Sequence, residues 1–115
     1  MYFKNLNDIE EIEIMPKIKV RFIHSNNMTF AYWEIEAGAI FPEHSHLHEQ
    51  VATIIDGKFE FKVGNEKKLM KKGDVALVQP NIIHSGIAKT KCNIIDVFYP
   101  IREDYLELTN KNKKK

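Results

Sequence analysis

Cysteine is all but absent: Cys92 is the only one in 115 residues. No intramolecular disulfide can staple the chain, and a lone thiol cannot build a zinc-finger framework. Both absences point to a reducing compartment. Long hydrophobic runs are missing as well. Nothing approaches the ~20 apolar residues of a membrane span. The opening MYFKNLNDIEEIEIM has neither a basic lead nor an apolar stretch of signal-peptide length. Charge of either sign is barely in excess, with 17 basic and 16 acidic residues giving +1. Four of the lysines, Lys111, Lys113, Lys114 and Lys115, fall in the last five positions, so the body is slightly acidic. That balance argues against a nucleic-acid-binding domain. The expectation is a soluble cytoplasmic protein with one domain over residues 1–109 and a disordered, Lys-rich tail at 110–115.

Helical periodicity is also scarce. Short runs rich in branched and aromatic side chains stand in its place, which predicts strands at 18–23, 28–36, 51–55, 58–63, 66–71, 75–78 and 93–99. Asn26-Asn27 and Gly64-Asn65 read as turns, as does Lys72-Gly73-Asp74. Asp56-Gly57 predicts a hairpin between 51–55 and 58–63. Phe59, Phe61 and Val63 alternate with Lys58, Glu60 and Lys62, the mark of a strand with one buried face. The unbroken apolar run Val75-Ala76-Leu77-Val78 predicts burial on both faces. Only 101–108 suits a short helical turn. Many short strands at hairpin spacing imply an all-β antiparallel sandwich or barrel.

What the chain does have is a cluster of histidines. Three stand in Glu43-His44-Ser45-His46-Leu47-His48-Glu49-Gln50, and His84 follows further along. In a strand, His-x-His puts both imidazoles on one face. A regular strand would add His48 and Gln50 to that face and turn Glu49 away, which favours Gln50 over Glu49 as an oxygen ligand. The set His44, His46, Gln50 and His84 therefore predicts a metal site. Such donors suit Ni, Zn, Mn, Fe or Co and do not choose among them. Three imidazoles and an amide leave a divalent charge uncompensated, so the site would attract an anion.

These segments resemble the two motifs of the cupin superfamily. Gly38, His44, Ser45, His46, Gln50 and Gly57 match the first motif. Gly73-Asp74, Pro80 and His84 match the second. Gln50 stands where the family has glutamate, Gln79 where it has proline, Asn81 where it has glycine, and Ala88 where it has asparagine. The resemblance covers roughly residues 28–100. It implies a single-domain cupin, a double-stranded β-helix or jelly-roll barrel, holding one divalent transition metal. It also implies a homodimer, with the N-terminal strands as possible exchange elements.

A second clue lies in the last strand. Asp96 shares a face with Phe98 inside the apolar run Ile94-Ile95-Asp96-Val97-Phe98-Tyr99. A buried carboxylate is expensive unless paired or ligated, so Asp96 reads as a catalytic or substrate-binding group at the barrel mouth. The alternative is an outward Asp or one that satisfies a turn. Arg102 suits bidentate recognition of a carboxylate, or pairing with Glu103 or Asp104 at the surface. Ile95-Asp96-Val97-Phe98-Tyr99-Pro100-Ile101-Arg102-Glu103-Asp104-Tyr105-Leu106 resembles the C-terminal signature of the pectin-degradation cupins called KdgF. Their pattern is close to L-D-V-F-x-P-x-R-x-D-[FY]-L, and they too carry glutamine as the fourth ligand. The resemblance implies metal ligands at His44, His46, Gln50 and His84 and site residues at Asp96, Phe98 and Arg102. It implies ring opening of 4,5-unsaturated monouronates from pectin or alginate to the linear 4-deoxy-5-keto uronate, an isomerase-type activity. Two other readings fit the metal cluster: a cupin that binds a sugar acid or small anion without turnover, and a three-histidine dioxygenase. His48 reads as a neighbour that orients a ligand or as a solvent-exposed residue, His24 as a turn residue, and Cys92 as a small hydrophobe at a strand start. Phe30, Tyr32 and Trp33 read as core or dimer contacts rather than a sugar-stacking platform.

Overall fold

The computed structural model describes residues 2–113. A 3₁₀ turn at Leu6–Asp8 precedes ten strands and one helix: β1 (Ile12–Met15), β2 (Ile18–His24), β3 (Thr29–Ile35), β4 (Ile40–His44), β5 (Glu49–Asp56), β6 (Phe59–Val63), β7 (Glu66–Met70), β8 (Val75–Val78), β9 (His84–Ala88), β10 (Cys92–Tyr99) and α1 (Glu103–Lys113). Six strands form one antiparallel sheet in the order β1-β2-β3-β10-β5-β8, and four form a second in the order β4-β9-β6-β7. No helix among the described residues is long and apolar enough to cross a membrane.

Alternation does most of the folding work. In β3, Thr29, Ala31, Trp33 and Ile35 are buried; in β10, Cys92, Ile94, Asp96 and Phe98 are buried. The two strands pair directly, so these residues line the inside of the larger sheet. Phe59 and Phe61 of β6 face them from the smaller sheet as part of the same core. Burying each such aromatic or aliphatic side chain contributes about 1.5–3 kcal/mol. Cys92 behaves as the small hydrophobe expected, fully buried at the start of β10.

The β2–β3 and β6–β7 hairpins form where Asn26-Asn27 and Gly64-Asn65 predict them. Other expectations need correction. Asp56-Gly57 is not a hairpin turn, because β5 pairs with β10 and β8 while β6 pairs with β7 and β9. The chain there crosses between sheets, and Gly57 (φ +93°) is required because a Cβ would strike the Lys91 carbonyl. The run at 75–78 is not buried on both faces: Val75 is 52% and Leu77 67% exposed. β8 is an edge strand, and among the described residues no further strand pairs with its outer side. The C-terminal helix is longer than a turn, continuing through 110–113, where a disordered tail is expected. No glycine or proline stops it there. The last two tail residues, Lys114 and Lys115, lie outside the described residues. β1, β4 and β9 are strands that local propensity does not announce. In β9, Gly86 is opposite both Phe41 and Phe61, and the Phe59 ring fills the space a side chain would need.

Candidate metal centre and its pocket

The histidines of both sequence segments meet at one end of the barrel. His44 closes β4 and His84 opens β9; they are Cα partners across that ladder, with ring centroids 4.2 Å apart. His46 lies in the link between β4 and β5, its ring 4.8 Å from that of His84. The candidate ligand nitrogens of all three lie within 4.8 Å of one another. The regular strand expected through 44–50 does not exist. The chain leaves one sheet at His44 and joins the other at Glu49, so the rings converge through a crossover rather than through strand parity. Parity does hold inside β5, where Gln50 is buried and Glu49 exposed.

The backbone sets the tautomer of each imidazole. Nδ1 of His44 lies 2.7 Å from the Pro42 carbonyl, that of His46 3.0 Å from the His48 carbonyl, and that of His84 2.8 Å from the Ile82 carbonyl. A carbonyl only accepts, so Nδ1 carries the proton in all three rings and Nε2 keeps a lone pair. His84 Nε2 is buried without a partner. His46 Nε2 lies 3.1 Å from Gln50 Oε1, two acceptors side by side. Lone pairs held together in this way fit a divalent cation, and borderline ions with nitrogen and oxygen preference suit the donors. Burial, helped by the charge of Arg102 and by His84, pushes the pKa of His46 down to about 4. Burial also lowers that of His84. Both rings are therefore neutral and ready to ligate at neutral pH.

Beside this cluster the barrel holds a cavity of about 50 Å³. Its walls are mainly apolar, with Phe41, Phe59 and Phe61 on one side and Phe98 on the other, and it admits the edge of a small molecule rather than the whole of one. Asp96 opens into it. Its Oδ2 accepts the Trp33 indole N–H at 2.9 Å, and its Oδ1 is buried without a hydrogen-bond partner. Burial raises the Asp96 pKa to about 6, against the opposing pull of Gln50, Trp33 and Arg102.

Arg102 lines the same cavity while being paired at the surface. Its Nε and Nη2 donate to the two carboxylate oxygens of Asp104 at 3.0 and 2.8 Å. Its guanidinium carbon lies 4.7 Å from the Phe98 ring centroid and 4.0 Å from that of Tyr105. Burial, the largest single effect, opposes its charge, but the bond to Asp104, the charge of Asp104 and the Tyr105 hydroxyl together outweigh it and raise its pKa. Phe98 also meets His46 edge-on at 5.6 Å, so one ring touches both the cationic and the histidine side of the pocket.

Sequence reasoning missed two contributors. Trp33 is core, as expected, but it also carries the hydrogen bond to Asp96. An indole N–H on a buried strand face needs an acceptor, and that was the available signal. Tyr105 had no signal in strand periodicity because it lies on α1. His48 orients His46 through its backbone carbonyl, not its ring; the ring is half-buried, and burial lowers its pKa. His24 is not a turn residue. It ends β2 and joins two other elements through contacts to Thr29 Oγ1 (2.9 Å) and Thr109 Oγ1 (3.1 Å). Asn81 does adopt the left-handed conformation (φ +67°) demanded of it in place of glycine.

Comparison with known proteins identifies the family and the fold. The family model described as "Cupin domain" matches residues 31–98. The pectin degradation protein KdgF of Dickeya dadantii (strain 3937) is 35% identical over 71 residues, which is 60% of this chain. The match spans 64% of that protein's length. An RmlC-like cupin from Shewanella frigidimarina NCIMB 400 superposes with a TM-score of 0.87 at 26% identity, over 91% of this chain and 96% of the other. KdgF from Halomonas sp. superposes with a TM-score of 0.83 at 24% identity, over 91% and 97% of the two chains.

Proposed function

The chain belongs to the cupin domain family, and from that premise we propose that it is a metal-dependent enzyme opening the ring of 4,5-unsaturated monouronates. The product would be the linear 4-deoxy-5-keto uronate, an isomerase-type conversion of pectin or alginate fragments. The observation that carries this reading is a buried carboxylate, Asp96, with one oxygen that has no hydrogen-bond partner, in the same pocket as a cluster of three imidazoles and a buried arginine. Likeness to a pectin degradation protein supports the substrate class.

His44, His46, Gln50 and His84 would hold the cation, which supplies positive charge where the enolate oxygen develops. Arg102 keeps N–H groups beyond those bound to Asp104, and these would take the substrate carboxylate. Asp96 Oδ1 would remove the proton of the anomeric hydroxyl. The C1–O5 bond then breaks, C1 becomes an aldehyde, and the electron pair passes to O5 as an enolate. Return of the proton to C4 leaves a ketone at C5. The atoms balance as an isomerisation with no oxidant. A positioned acid–base group of this kind typically contributes about 10²–10⁴-fold. Phe98 would form the wall against which the ring edge lies, and the apolar cavity would keep water away. The same reading takes a cytoplasmic homodimer as the working unit, with no nucleic-acid or membrane partner.

The test follows the conjugated C4=C5 absorbance of freshly generated 4,5-unsaturated galacturonate. Decay faster than the spontaneous reaction, lost on metal removal and in Asp96→Ala, is expected. No acceleration by fully metal-loaded protein would sink the reading. Oxygen uptake and sugar-acid binding would then separate the dioxygenase from the binding cupin.

A further inference from the structure

Trp33 and Asp96 reach one another across the β3–β10 ladder. The register sets Trp33 opposite Ile94 and Asp96 opposite Ala31, so the two are diagonal neighbours on the inward face. Only a long side chain spans that diagonal. Ala31 leaves room for the indole, whose Nε1–H meets Asp96 Oδ2 at 2.9 Å. The ring is held on several sides: Phe22, Phe41 and Tyr105 meet it edge-on at 6.1, 5.5 and 6.3 Å. An indole only donates. Its one hydrogen bond is thus given to one oxygen of the carboxylate, while the other, Oδ1, is buried with no partner.

Resting on the reading of Asp96 as the proton-handling group, we propose that Trp33 is its positioning residue. The immobilised N–H tethers Oδ2 and thereby presents Oδ1 to the cavity. Gln50 and the charge of Arg102 already pull on this carboxylate, and without the indole it can rotate about its last torsion towards them. Proton transfer requires the basic oxygen within hydrogen-bond reach of the substrate, so loss of the tether lowers turnover rather than binding.

Trp33 is the only tryptophan in the chain, so its indole N–H gives one unambiguous resonance in a ¹⁵N spectrum of the zinc-loaded protein. The tether predicts a downfield, exchange-protected signal that moves upfield and loses protection in Asp96→Ala. In the absorbance assay, Trp33→Phe keeps a ring but no donor. Its kcat is expected to fall about 10–100-fold with KM within roughly threefold, and with metal content unchanged. Wild-type kcat in Trp33→Phe, or a loss matched by lost metal, overturns the proposal. An indole resonance indifferent to Asp96→Ala overturns it too, and this arm decides the matter should Trp33→Phe fail to fold. A wild-type protein that leaves the uronate intact, yet whose indole resonance responds to Asp96→Ala, removes the ring-opening reading and supports the tether.

Discussion

His44 and His84 face one another across the β4–β9 ladder, and each has its Nδ1 proton tied to the carbonyl two residues before it. The same local device thus occurs in two segments far apart in sequence. It turns both Nε2 atoms towards the same point, so binding of a cation there would need little reorganisation.

Metal loading is therefore expected to stabilise the protein. A divalent ion at a hundred times its dissociation constant adds about 2.7 kcal/mol. For a domain of this size that raises the melting temperature by about 10 °C. Thermal melts with zinc or nickel against a chelator measure the gain. His84→Ala should abolish it, and equal melting temperatures in wild type would contradict the site.

Asp96 predicts a pH dependence of the metal-free protein. Its pKa is about 6 in the fold against an ordinary 3.8, so the folded state binds the proton more tightly. Its contribution is full below about 3.8 and is lost as pH rises through 6. Asp96→Asn should consequently stabilise the metal-free protein at pH 7.5, by on the order of 2 kcal/mol, and by little at pH 4. His46, with its pKa lowered to about 4 from 6.5, acts oppositely, losing stability as pH falls through that range. Comparing variant and wild type by urea melts at each pH cancels the His46 effect. A gain that grew towards pH 4 would refute the assignment.

Arg102 depends on shape as well as charge. Arg102→Lys keeps the charge but loses the fork to Asp104 and the guanidinium seated over the Tyr105 ring. The KM for the uronate is expected to rise about tenfold, roughly 1.4 kcal/mol of binding, with a smaller change in kcat. Asp104→Ala should shift KM in the same direction but less, because the guanidinium still lies over the Tyr105 ring. Steady-state kinetics that leave KM unchanged in both would free Arg102 from any role in binding.

Gly86 tests the back wall of the cavity. A methyl group there collides with the Phe59 ring, which packs edge-on against Phe41 at 5.9 Å. Gly86→Ala should lose about 1–3 kcal/mol by overpacking. A crystal structure of the variant should show the Phe59 ring displaced into the cavity. An unchanged urea midpoint would mean that the ring yields freely.

Much of the candidate site is legible in the chain itself. His44, His46 and His84 stand out because metal donors are few and clustered. Asp96 and Phe98 are placed inward by the period of two within β10, as is Gln50 within β5. Legibility fails where the period is interrupted. Between His44 and Glu49 the strand stops, and no alternation rule carries across a loop. Likewise, β9 contains Gly86 and reads poorly as a strand, yet it pairs on both sides because its neighbours need that glycine.

The sequence by itself determined the all-β class, the inward set on each long strand, and the chemical character of the donors. These follow from local sterics and side-chain type, which travel with each residue. Tertiary structure alone decided that Asp56-Gly57 passes between sheets, that Val75 and Leu77 lie exposed on an edge, and that Trp33 meets Asp96. The reason is that pairing order and register are collective. Each depends on which distant strand lies alongside, and a strand's own residues say which way they face but not what they face.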